Sequence, residues 1–187
     1  LNNRLARDVD GAFPLLVQRH VDDLFSGIRR FVATQADAED LTQETLLRAY
    51  RALKSYEPER IEEMQLRSWL WTIALNLCRS AARRRTRRVA EVGLGSAELT
   101  AASSDSTELD AVDNATADDW TRRLEQLSNA QRTAVVLRHV VDLPYAEIAA
   151  ITGRPVGTTK ADVHRGIERL RNALEAEAAS DQEGLHA

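Results

Sequence analysis

The chain's 187 residues can make one domain or two small ones; with 43% hydrophobic and 29% charged residues but only 8 glycines and 4 prolines, composition favours a water-soluble, helix-rich protein. A single cysteine, Cys78, excludes an internal disulfide, argues against a cysteine-based zinc site and fits a reducing cytosol; no stretch reaches the roughly 20 apolar residues of a membrane span, and no apolar signal segment opens the sequence. The net charge of −4 argues against a nucleic-acid binder, but its distribution reverses this: residues 1–88 hold 16 Lys/Arg against 12 Asp/Glu, residues 89–119 hold eight acids and no base, and the last 68 residues hold nine of each.

In chain order, the first expected helix runs from about Gly11 to Ala33, where Phe13, Leu16, Val17, Val21, Leu24, Ile28 and Phe31 recur at helical spacing. The second follows Asp37, read as its N-cap, and runs to about Ser55. Projected at roughly 100° per residue, "DAEDLTQETLLRAYRALKS" puts Ala38, Leu41, Leu46, Ala49, Tyr50 and Leu53 on an apolar arc. Asp40, Gln43, Glu44 and Arg51 fall opposite, with Leu47 among them. Such an outer face is either simply solvated or, with its apolar anchor ringed by charge, suited to docking a protein.

After the turn-like "SYEPERIEEMQ", a third helix is expected from about Leu66 to Arg85. Trp69, Ile73 and Leu77 share one side, and Trp71, Leu75, Cys78 and Ala82 another, so both tryptophans are expected mainly in the core, Trp69 more firmly than Trp71. Thr72, Asn76, Arg79 and Arg83 form a polar stripe between these sides, and Arg84, Arg85, Arg87 and Arg88 follow. Asn76 could be a satisfied buried amide and the arginines a favourable helix C-terminus. Yet six arginines from Arg79 to Arg88 with no acid among them exceed what a helix dipole uses within its last turn. An amide able to pair with a base edge, followed by guanidinium groups for phosphates, makes a single-strand track.

The stretch "VAEVGLGSAELTAASSDSTELDAVDNATADD" lacks sustained helical periodicity and reads as a flexible acidic linker. It serves as a solubilising spacer or as a mimic of nucleic acid in a basic channel. Beyond it, helices are expected at about 118–126, at 129–141 opened by the capping box Ser128-x-x-Gln131, at 144–152 with Pro144 in first position, and from Pro155 to about Ala178. The last two, turning at Gly153, have the pattern of a helix-turn-helix. In the final helix Val156, Thr159, Val163, Ile167, Leu170 and Leu174 form the expected core arc. Thr158, Ala161, Arg165 and Arg169 face away, with Asp162 on one flank of that outward line and Lys160 and His164 on the other. Small residues early in the helix would admit it to a major groove, and Arg165 could reach guanine or phosphate. Asp162 could accept from cytosine N4, pair with Arg165, or repel phosphate at a wrong site. No repeat or alternating strand pattern appears. The expected class is all-α, with two small helical domains, 1–88 and 118–187, joined by the linker 89–117.

Together, "DAEDLTQETLLRAYRAL", "RSWLWTIALNLCRSAARRR" and "LSNAQRTAVVLRHVVDLPYAEIAAITGRPVGTTKADVHRGIERLR", in this order, resemble the extracytoplasmic-function (ECF) sigma factors of bacterial RNA polymerase, over roughly residues 10–88 and 120–175. The resemblance implies a cytoplasmic, cofactor-free specificity subunit. It would bind the core polymerase, recognise the −10 and −35 promoter elements, help to open DNA and be restrained by an anti-sigma factor. By that likeness Asp40, Gln43, Glu44 and Leu47 would meet the clamp helices of the largest polymerase subunit. Asn76, Arg79, Arg83 and Arg84 would hold the −10 non-template strand, helped by a base-capturing loop at Tyr56–Gln65. Thr158, Lys160, Ala161, His164 and Arg165 would read the −35 duplex, and the acidic linker would run toward the polymerase active-site and RNA-exit channel. The chain departs from the family run S-R-L-H-R-A-R, placing Asp162 and Ile167 where arginines are expected, so its −35 preference cannot be copied from relatives. A stand-alone helix-turn-helix regulator would account for the last third only. An enzyme is not expected: there is no Gly-rich phosphate loop, metal-spaced histidine pair or nucleophile triad, and His20, His139, His164 and His186 are scattered.

Overall fold

A computed structural model describes residues 1–92 and 119–184, with side chains given for 1–88 and 119–178. Every regular element among the described residues is a helix, as the spacing of apolar residues predicts. The chain divides into two units, Leu1–Asn114 and Ala115–Ala187.

The first unit contains α1 (Asn2–Arg7), α2 (Val9–Ile28), α3 (Gln35–Leu53), α4 (Pro58–Glu63) and α5 (Leu66–Val92). The single helix expected from Gly11 to Ala33 is thus preceded by a short one and stops at Ile28. The break comes at Asp8, whose extended backbone ends α1 and whose carboxylate accepts from Gly11 N at 3.0 Å as the N-cap of α2. Thr34, not Asp37, caps α3: its hydroxyl oxygen accepts from the Asp37 backbone N–H at 3.0 Å, and Asp37 sits inside the first turn. The turn expected at 55–65 contains α4, opened by Pro58 at a position that needs no N–H donor. Buried Ile61 pins α4 to the core, and the Asn2 side-chain amide donates to the carbonyls of Ile61, Glu62 and Met64 at 3.0, 3.1 and 2.8 Å. These bonds satisfy carbonyls that a short helix leaves open at its C-terminal end.

Leu16, Leu24 and Ile28 of α2 pack with Leu41, Ala49 and Leu53 of α3 and with Leu70, Trp71 and Leu75 of α5. Asp10 ties the start of α2 to the end of α3: it accepts from Tyr50 Oη at 2.7 Å and from Lys54 Nζ at 2.8 and 3.0 Å. Lys54 and then Tyr50 hold the Asp10 carboxyl below the usual carboxylate range, and the same contact raises both partners' values. Helix α5 continues to Val92, seven residues past the expected end and into the first four positions of the expected linker. The rest of that linker lies outside the described residues.

The second unit contains α6 (119–125), α7 (Asn129–His139), α8 (Tyr145–Thr152) and α9 (Val156–Gly184). The capping box of α7 forms as the sequence predicts: Ser128 Oγ accepts from Gln131 N, and the Gln131 side chain accepts from Ser128 N. Pro144 precedes α8 as its N-cap rather than occupying its first turn. Gly153, with φ +67°, ends α8 in the left-handed region that favours glycine, and the chain turns there into α9. Leu124 and Leu127 join Val135, Val136 and Leu137 of α7, Ile148 of α8, and Val163 and Leu170 of α9 in the core.

The buried face of α9 is rotated from the expected arc. Val156 is 41% exposed, whereas Asp162, placed on an outward flank by projection, is only 4% exposed. Gly166 is also buried, and a Cβ added there would stand 2.6 Å from Val135 Cγ2, so α7 crosses α9 where α9 has no side chain.

Candidate nucleic-acid interface

Helix α5 presents the polar stripe in an accessible form. Asn76, Arg79, Arg83 and Arg84 are all exposed, and Thr72 is half-buried with its hydroxyl donating to the Ser68 carbonyl at 3.0 Å. The carboxamide of Asn76 has no partner among the described residues, which removes the reading of a satisfied buried amide. Among the described residues Arg83 reaches only Ser80 Oγ, at 3.1 Å. The stripe therefore combines an uncommitted donor and acceptor with solvated guanidinium groups, chemistry suited to base edges and phosphates.

The tryptophans reverse their expected order of burial. Trp71 is 1% exposed and fills the core between α2, α3 and α5, whereas Trp69 is only half-buried. Trp69 meets the ring of Tyr56 edge to face at a centroid distance of 6.0 Å, and the Arg60 guanidinium lies 3.6 Å from the Tyr56 ring centre. Seven residues separate Trp69 from Asn76, so the two lie roughly 20° apart on the helix surface. An aromatic pair thus stands at the head of the Asn76–Arg79–Arg83 line, next to the Tyr56–Gln65 loop. The seven-residue spacing was visible in the sequence; the partner ring across the loop was not.

On α3, Asp40, Gln43 and Leu47 are exposed and Glu44 is half-buried, so the expected outer face points to solvent. Leu47 is 42% exposed, beside the ion pair of Arg48 Nε with Glu44 Oε1 at 2.6 Å. Thr42 and Thr45, on the same helix, face inward and donate to Ala38 O and Leu41 O.

In the second unit, Lys160, His164 and Arg165 are exposed and Thr158 and Ala161 half-buried along α9. Lys160 Nζ lies 5.8 Å from the Tyr145 ring centre, and His164 Nδ1 lies 3.4 Å from Glu168 Oε2. Asp162 lies beneath this edge: its Oδ1 accepts from Arg165 Nη2 at 3.0 Å, and its Oδ2 lies 3.0 Å from Arg154 Nη2. Of the roles open from the sequence, pairing with Arg165 is the one formed. A side chain 6% exposed cannot offer its oxygens to a cytosine.

Family comparison accounts for both units. The Sigma-70 region 2 model matches residues 16–88, and the Sigma-70, region 4 model matches residues 117–170. The ECF RNA polymerase sigma-E factor of Salmonella typhimurium is 30% identical over 182 residues, covering 94% of this chain and 93% of that protein. The chain belongs to the ECF sigma factors of the sigma-70 family. The ECF RNA polymerase sigma factor SigE of Mycolicibacterium smegmatis is 35% identical over 159 residues; the alignment takes in 85% of this chain but spans 60% of that relative's length. Among solved structures, the sigma factor RpoE of Bartonella quintana, in complex with the anti-sigma factor NepR, matches with a TM-score of 0.68 and 29% identity, covering 87% of this chain and 96% of that one. In this sigma factor the α3 face and the α5 stripe fall within the region 2 match and α9 begins within the region 4 match, while α1, with Asn2, precedes the first match. No described helix is long and apolar enough to cross a membrane.

Proposed function

We propose that this sigma factor binds core RNA polymerase through the α3 face, holds the opened −10 strand along α5, and reads the −35 duplex with α9. The observation that carries this reading is the exposed Asn76–Arg79–Arg83–Arg84 line, headed by the Trp69–Tyr56 pair, in which the Asn76 carboxamide has no partner among the described residues. Extruding a base from the stack costs a few kcal/mol, so a site that holds one must offer stacking surface and hydrogen bonds together. Trp69 and Tyr56 supply the first and Asn76 the second, while the arginines neutralise phosphates. Asp40, Gln43, Glu44 and Leu47 give core polymerase an apolar anchor with a charged rim. Thr158, Lys160, Ala161, His164 and Arg165 form the edge offered to the major groove, with Lys160 and Arg165 as its cations.

The domain boundaries follow from this division of labour: residues 1–88 serve the core and the −10 element, 118–187 the −35 element, and 89–117 connect them. An anti-sigma partner is part of the proposal, supported by the NepR-bound relative. The protein acts as a cofactor-free recognition subunit of the polymerase in the cytoplasm, with chemistry left to the polymerase.

Transcription in vitro with core polymerase and a pool of genomic promoter fragments tests the reading. The protein should bind core without DNA and direct initiation at a discrete subset of promoters. Binding to a duplex operator without polymerase, with no transcripts above core alone, would instead identify a stand-alone helix-turn-helix regulator.

A further inference from the structure

We propose that Asp162 is the positioning residue that sets the base preference of α9. It holds Arg165 with one guanidinium edge free for a guanine in duplex DNA, and keeps Arg154 beside it for a backbone phosphate. This rests on the reading of α9 as the duplex-reading helix and adds to it a residue that does not touch DNA. The Asp162 side chain is 6% exposed, too deep for a base edge, and each of its oxygens faces one arginine at 3.0 Å. A carboxylate this far from water is costly to bury without such partners. Two guanidinium groups and one carboxylate leave the cluster with one net positive charge, at the edge of a helix that would approach a polyanion.

The two arginines are held differently. Arg165 Nη2 donates a well-aligned hydrogen bond to Oδ1, whereas Oδ2 receives no aligned hydrogen bond even though Arg154 Nη2 is 3.0 Å away. Arg165 is therefore oriented, and Arg154 is held by charge alone. Whichever Nη2 hydrogen the carboxylate takes, one two-donor edge of the Arg165 guanidinium remains, the arrangement that matches guanine O6 and N7. Fixing the side chain before DNA arrives reduces the rotamer freedom lost on binding, which favours the base matching that orientation over others. Arg154 follows the Gly153 turn and is 42% exposed; a phosphate asks for charge more than alignment.

The test is selection by holoenzyme from promoters randomised across the upstream duplex element, with a −10-randomised pool in parallel. Wild type should favour guanine at one position, on either strand, by about tenfold. Arg165→Ala should lose that preference, Asp162→Asn should lose most of it, and the double variant should lose no more than Arg165→Ala alone. Asp162→Glu should restore part of the preference, and the −10 pool and the helical CD spectrum should not change. Arg154→Ala should weaken binding to all sequences alike and reduce the slope of log affinity against log salt by about one. Retained selectivity in Asp162→Asn, with Arg165→Ala altered, would overturn the proposal while leaving the reading of α9 intact. Losses from the two substitutions that fall at different positions would overturn it too. A wild-type holoenzyme with no preference anywhere in the upstream duplex would remove the reading of α9 and the proposal with it.

Discussion

A Cβ placed on Gly166 would stand 2.6 Å from Cγ2 of Val135, so the crossing of α7 and α9 requires a residue without a side chain at this point. Gly166→Ala sets two effects against each other. Alanine gains about 1 kcal/mol in helix propensity, but overpacking a stiff, buried β-branched neighbour costs about 1–3 kcal/mol. The clash should win, with a net loss of roughly 1 kcal/mol and a fall in melting temperature of roughly 4–8 °C for the second unit. In a Val135→Ala background the same change should be neutral or stabilising, because the remaining neighbours, Gln131 Cβ and Leu127 Cδ1, lie at an ordinary 3.6 Å. Thermal unfolding of the four-variant cycle checks this, and equal losses in both backgrounds would contradict it.

Leu47 is exposed on α3 and supports nothing in the core, so Leu47→Asp should leave thermal stability within about 0.5 kcal/mol of wild type. As the apolar anchor of the proposed docking face it should nonetheless weaken core polymerase binding by about tenfold or more. Competition against a labelled wild-type sigma factor for a fixed amount of core measures the effect; undiminished competition would remove Leu47 from the interface.

Asn76→Ala should separate promoter opening from assembly. The carboxamide is exposed and uncommitted, so its loss should alter neither folding nor core affinity, while lowering the yield of open complex several-fold by removing a base-edge contact. Permanganate reactivity of thymines in the −10 region reports opening directly. Unchanged reactivity would take Asn76 out of the strand-holding line.

His20 makes the first unit sensitive to acid. It is buried on α2 beside a cavity of about 460 Å³, also lined by Asn2, Arg19, Asp23 and Arg67. Burial, then the nearby Arg19, lowers its pKa from the ordinary 6.5, with Asp23 opposing and Arg67 adding to the shift. The folded state therefore holds fewer protons than the unfolded state below that value, and stability rises with pH in this range. His20 should cost nothing above about pH 7 and increasingly destabilise as pH falls below about 6.5 toward its lowered folded value. Urea unfolding from pH 7.5 to 5 should show a steeper loss in wild type than in His20→Gln; parallel curves would show that His20 carries no part of the acid sensitivity.

Much of the fold was legible in the sequence because its signals are local. Apolar spacing gave the helical class, Ser128-x-x-Gln131 gave the start of α7, and Gly153 gave the turn into α9. The α1 helix and its Asn2 latch on the α4 carbonyls were missed, since a six-residue helix has little periodicity and its stabilising bonds span some 60 residues of chain. Thr34 displaced Asp37 as the cap of α3 because either side chain suits the position and the preceding turn decides between them.

The sequence by itself determined an all-α chain, an outward acidic face on α3 and an arginine-rich polar stripe on α5, because these depend on residue type and helical period; the two sigma regions were legible only through resemblance to the family. Tertiary structure alone decided how far each helix is rotated toward its neighbours. It buried Trp71 and left Trp69 against Tyr56, exposed Val156, and placed Asp162 beneath Arg154 and Arg165. A helical projection assigns an angle to a side chain, but whether that angle meets water or another helix depends on where the partner helix crosses. On α9 the missing side chain of Gly166 lets α7 come close, and Asp162, expected on an outward flank, lies buried against Arg154 and Arg165.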